Sequence, residues 1–74
     1  MSTAIYIKGT LPNQELLLSY GEDMDLEDIE IDVEIILREE RLHGVASFMV
    51  TSSDYLDVDL ERMMTSVQLD VFGW

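Results

Sequence analysis

The chain has 74 residues, no cysteine, and sixteen Asp and Glu against four Lys and Arg, a formal net charge of −12. Disulfides and thiolate metal sites are therefore excluded, and no apolar run approaches the roughly 20 residues of a membrane span. A field this negative repels nucleic acid and anionic lipid, and it speeds association with a cationic surface.

The length suits one domain, which at this size buries only about 60–65% of the surface of its unfolded chain. A hydrophobic content of 47% argues against disorder. Met1-Ser2-Thr3-Ala4 has neither the basic segment nor the apolar stretch of a secretion signal. A cytoplasmic setting is the expectation, since a mini-domain without disulfides fits a reducing compartment.

In chain order, residues 4–8, Ala-Ile-Tyr-Ile-Lys, read as a strand rich in β-branched and aromatic types. Pro12 and Asn13 suit the central positions of a type I turn. Residues 15–20 fit the return strand of a hairpin, or a short helix opened by Pro12 and stopped by Gly21; the hairpin is preferred. In the segment that begins at Glu22 the helix template collects Leu26, Ile29, Val33, Ile36 and Leu37 but leaves Ile31 and Ile35 facing water. The strand template places Ile29, Ile31, Val33 and Ile35 on one face and Glu30, Asp32 and Glu34 on the other, and every apolar member is β-branched. A strand over 28–37 is the expectation.

Arg38 to Gly44 reads as a polar connection in which Gly44 is free to take a positive φ. Val45 to Thr51 reads as a strand pairing back antiparallel. Ser52-Ser53-Asp54 is a helix-start signal, reinforced by Asp57 and Asp59, and Leu56, Leu60, Met63, Met64 and Val67 recur at helical spacing. Tyr55 to Leu60 could instead be a strand, because Val58 interrupts that spacing. Val67, Leu69 and Val71 alternate and suggest a final strand. The sum is an α+β domain: an antiparallel sheet of four to five strands with a helix near the C-terminus covering one face. A helical segment 12–20 would make the order βαββαβ, the ferredoxin-like arrangement.

Catalytic constellations lack their parts. The single histidine, His43, stands in a polar connection beside Gly44, where a solvated side chain is the ordinary state. Glycines occur only at 9, 21, 44 and 73, so neither phosphate-loop nor dinucleotide fingerprints exist. Lys8, Arg38, Arg41 and Arg62 are too few and too scattered for a phosphate groove. Paired carboxylates of the glycosidase kind need a concave cleft for which so small a domain has little volume. Calcium is the more serious alternative, but Asp23, Asp25, Glu27 and Asp28 lack the central glycine of a calcium loop, as do Asp54, Asp57, Asp59 and Glu61. The expectation is a non-enzyme without metal or cofactor.

Eight of the thirteen residues from Glu22 to Glu34 are acidic (Glu22, Asp23, Asp25, Glu27, Asp28, Glu30, Asp32 and Glu34), and no Lys or Arg occurs between Gly9 and Leu37. One reading is a solvated outer face that improves solubility. The other is a binding surface. Like charges at i and i+2 of a strand lie about 6.5–7 Å apart and repel, a cost that solubility alone does not require. Such an array imitates the charge spacing along a nucleic-acid strand, and a basic groove built for DNA or RNA would accept it. Asp54, Asp57, Asp59 and Glu61 are candidate additions to this surface.

In size, charge, lack of cysteine and the run Glu22–Glu34, the sequence resembles the small acidic inhibitors encoded by phages and mobile elements, such as anti-CRISPR proteins and other DNA mimics. The resemblance implies a partner that is a host nuclease, a CRISPR effector complex or another nucleic-acid enzyme, met in the host cytoplasm. It implies no fold and no residue role, because that class is diverse. Two other readings use parts of the same logic: an immunity protein or antitoxin that neutralises a basic toxin, and an assembly module that pairs through a sheet edge. Trp74 is a possible interface anchor or packs on its own sheet. Met63 and Met64 belong either to an adaptable binding face or to the core.

Overall fold

A computed structural model describes residues 2–73, so Trp74 lies outside the described residues. Five elements follow in the order ββαβα: β1 (Ser2–Gly9), β2 (Glu15–Gly21), α1 (Leu26–Glu39), β3 (Val45–Ser52) and α2 (Asp57–Phe72). The three strands form one antiparallel sheet in the order β2-β1-β3. The fold is thus α+β with a C-terminal helix over the sheet, but the four to five strands expected are three, and the ferredoxin-like order does not occur.

The first hairpin follows from the residues that suggested it. Ile5 and Ile7 are fully buried, while Lys8 on the opposite side of β1 is exposed, the alternation of a half-buried strand. Tyr6 pairs with Leu17, and Lys8 with Glu15. The connection departs from the expected type I turn. Asn13 has φ 67°, the positive value that marks a type II turn and that asparagine tolerates. Gly9 lets the turn close: its N–H donates to the Gln14 carbonyl at 2.7 Å, and a Cβ on Gly9 would meet the Gln14 side chain at 2.6–2.8 Å.

The expected strand over 28–37 is instead the core of α1. Three physical effects favour the helix. Ile29, Val33 and Leu37 recur at helical spacing and are fully buried. Glu27 and Asp28 stand in the first turn and Arg38 in the last, each complementing the helix dipole. As a strand, Glu30, Asp32 and Glu34 would share one face; on a helix, neighbours two apart point about 200° apart, and the repulsion is divided between two flanks. The cost is that Ile31 and Ile35 stay 51% and 44% exposed.

The return from α1 also differs in detail. Arg41, not Gly44, takes the positive φ, at 56°. Strand β3 forms as expected but pairs with β1, placing β1 in the middle of the sheet. Thr3 and Ser52 face each other across that pair, hydroxyl to hydroxyl at 2.8 Å, on the buried side. The Ser52–Asp54 helix-start signal serves the loop instead. Ser52 Oγ accepts from the N–H groups of Asp54 and Tyr55, and the helix opens only at Asp57. The expected last strand at 67–71 is the end of α2, which Gly73 closes at φ +82° with its N–H on the Leu69 carbonyl.

Both helices lie on one face of the sheet. Their buried residues (Ile29, Val33 and Leu37 of α1; Leu60, Met63, Met64 and Val67 of α2) meet Ile5 and Ile7 of β1 in a single core. Met63 and Met64 are therefore core residues, Met64 fully buried and Met63 5% exposed. Among the described residues no helix covers the other side of the sheet, and Leu17 and Met49, which flank Tyr6 on that side, are 72% and 70% exposed. No helix among the described residues is long and apolar enough to cross a membrane.

Candidate functional site

The helices place the carboxylates in separate groups. Glu22 and Asp23 occupy the turn after β2, and Asp25 precedes the first turn of α1 without a side-chain cap. Asp54 lies in the loop before α2. Asp28 points outward from α1, beside the exposed Ile31 and Ile35. Asp32 turns to the sheet, where Tyr20 Oη donates to its Oδ2 at 2.7 Å. Burial, followed by this bond to a carboxylate, holds the Tyr20 phenol well above its ordinary value. The continuous stripe inferred from strand alternation does not exist.

What the fold brings together is a groove between the helices. Leu26, Glu27 and Glu30 of α1 face Asp59, Arg62, Met63 and Ser66 of α2 around a space of about 420 Å³. Leu26 and Met63 supply an apolar floor; Glu27, Glu30 and Asp59 supply three carboxylates at the rim. The two helices run in the same direction, since their first turns share this groove and Glu34 meets Asp70 further along. Their N-terminal dipoles consequently lie side by side, which favours the carboxylates gathered there.

At Glu34 and Asp70 two carboxyl groups approach across the helix pair. Partial burial, a hydrogen bond with Asp70 and the charges of Asp70 and Glu30 raise the Glu34 carboxyl above its ordinary value, with Arg38 opposing. Glu34 Oε2 is shielded from water and has no donor. Two carboxyls can bond only by sharing a proton, so this contact favours the protonated state. A third group, Asp57 and Glu61 of α2, lines a hollow of about 230 Å³ with Phe48, Met49 and Val50 of β3.

Among the described residues no three carboxylate or histidine side chains converge as a metal site would require. His43 is exposed. The groove contains Met63, which the sequence left between binding face and core, and residues the sequence did not mark as partner-binding: Leu26, Arg62 and Ser66, with Asp70 beyond it. The i, i+3, i+7 spacing of Glu27, Glu30 and Glu34, and of Asp59, Arg62 and Ser66, marks them as helix flanks, a signal hidden for the first set once residues 28–37 are taken as a strand. No family model, curated protein or solved structure matches the chain.

Proposed function

We propose that the protein is a non-catalytic acidic inhibitor that occupies the basic nucleic-acid-binding surface of a nuclease or CRISPR effector complex and excludes the nucleic acid by charge mimicry. The observation that carries this reading is the interhelical groove, where Glu27, Glu30 and Asp59 surround an apolar floor in a chain of net charge −12. A lysine or arginine from a phosphate-binding surface would lay its methylene stem on Leu26 and Met63 and its cation among the three carboxylates. Arg62 lines the same groove. The surrounding acids steer the encounter, making association fast and dependent on ionic strength.

The test is capture from host lysate at low and at high salt, followed by competition with nucleic acid on the captured protein. Glu27→Lys, Glu30→Lys and Asp59→Lys together are expected to weaken binding by about a hundredfold or more. The charge-matched set Asp23→Lys, Asp28→Lys and Asp54→Lys, none of which lines the groove, should cost far less. Equal losses would reduce the groove to bulk charge; binding indifferent to salt, or to competing nucleic acid, would end the proposal. A captured basic toxin would point to an immunity protein, which uses the same electrostatics on a different target.

A further inference from the structure

We propose that the outer edge of β3 is a second docking site, which takes an extended, cationic segment of a partner protein as a fourth strand of the sheet. This site is separate from the interhelical groove and stands or falls independently of it.

β3 is an edge strand, because the sheet order is β2-β1-β3. In an antiparallel pair, alternate residues turn their N–H and C=O groups away from the partner, so half of the β3 backbone groups face outward. Proteins commonly blunt such edges with lysine, proline or a bulge. From Gly44 to Ser53 there is no charged residue and no proline. The single irregularity is the extra residue Ala46, since Lys8 pairs with Ser47 and Gly9 with Val45. Among the described residues no strand pairs with the outer edge of the regular stretch from Ser47 to Ser52.

The hollow beside this strand says what would fit. Phe48, Met49 and Val50 are consecutive and alternate between the two faces of the sheet, so they line one hollow only where it runs along the strand's outer edge. Its other wall is Asp57 and Glu61, from the first turns of α2. An added strand would send every second side chain toward these carboxylates and the others to the open face, next to the exposed Met49. The matching occupant alternates Lys or Arg with apolar or β-branched residues. A second copy of this chain does not match: its own β3 has no cation to offer, and pairing would bring two sets of Asp57 and Glu61 together.

The probe is the peptide Thr-Lys-Val-Lys-Val-Lys-Thr, blocked at both ends and titrated into the whole protein at about 0.15 M salt, where charges more than about 8 Å apart are largely screened. Amide resonances of residues 47–52 should shift and gain protection from exchange. Asp57→Asn with Glu61→Gln should weaken binding by about tenfold, a typical loss for two charge contacts at a partly exposed site. Asp23→Asn with Asp28→Asn removes the same charge from residues that line neither the groove nor the hollow and should change it by less than about twofold. A peptide N-methylated at alternate residues, or one with glutamate in place of lysine, should not bind. The proposal is overturned if the two double variants lose affinity equally, if protection appears on β2 or the helices instead of β3, if the N-methylated peptide binds as well, or if the protein dimerises through β3.

Discussion

Gly9 and Glu34 are the two positions where a single side chain has the most to say. At Gly9 even a methyl group would press against the Gln14 side chain at 2.6–2.8 Å, and the Cβ of Gln14 cannot swing aside as its amide end can. Gly9→Ala is expected to destabilise the fold by roughly 1–3 kcal/mol, the usual range for overpacking, read as a lower midpoint in urea with an unchanged slope. Glu34 works in the opposite sense. Its carboxyl titrates above the ordinary value in the fold, so the folded chain holds more proton there than the unfolded chain. Its contribution to stability is therefore greatest at pH values near or below the ordinary glutamate value, and it is lost as pH rises through the raised one. Glu34→Gln, which keeps the shape and cannot ionise, should raise neutral-pH stability by on the order of 0.5 kcal/mol, a value discounted for exposure, and flatten the rise in stability on mild acidification. Thermal melts from neutral to mildly acidic pH, compared between the two proteins, provide the check.

The element that decides most is α1. Its sequence satisfies two periods at once over residues 29–35, and local composition favours neither: every apolar member there is β-branched, yet Glu and Leu around them are strong helix formers. The helix buries Ile29, Val33 and Leu37 and exposes Ile31 and Ile35; a strand would have buried all four of Ile29, Ile31, Val33 and Ile35. Substitution separates these alternatives. Ile29→Ala should cost about 2–5 kcal/mol, as for other buried isoleucines, whereas Ile31→Ala and Ile35→Ala should each stay within about 0.5 kcal/mol. Equal costs at 29, 31 and 35 in denaturant titrations would restore the strand. The C-terminal alternation of Val67, Leu69 and Val71 is a weaker case of the same ambiguity, since three residues of alternation are also met in a helix whose flank is half-exposed.

For the whole molecule the largest electrostatic effect is self-repulsion. Sixteen acids share a body measuring 31 × 22 × 20 Å, no more than about four Debye lengths across at 0.15 M salt. Raising the salt from about 10 mM to about 500 mM should stabilise the fold by roughly 1 kcal/mol, a shift of about 4–8 °C in Tm for a domain of this size. The same screening should weaken capture of a basic partner. Opposite responses of stability and binding to one variable are the signature expected of a charge-driven module; a partner whose affinity ignores salt while the fold gains stability would assign recognition to apolar contacts.

The sequence by itself determined the excess of negative charge, and from near neighbours it favoured the hairpin from Ala4 to Tyr20, the strand beginning at Val45 and the helical stripe of Leu60, Met63, Met64 and Val67. Only the tertiary structure decided which carboxylates are neighbours. In a strand, Glu30, Asp32 and Glu34 would share one face. In α1, Glu30 meets the groove, Glu34 meets Asp70, and Asp32 meets Tyr20. Side-chain direction follows the period of the backbone, and for a segment that fits two periods, that choice is made by what the sheet and α2 leave to be covered.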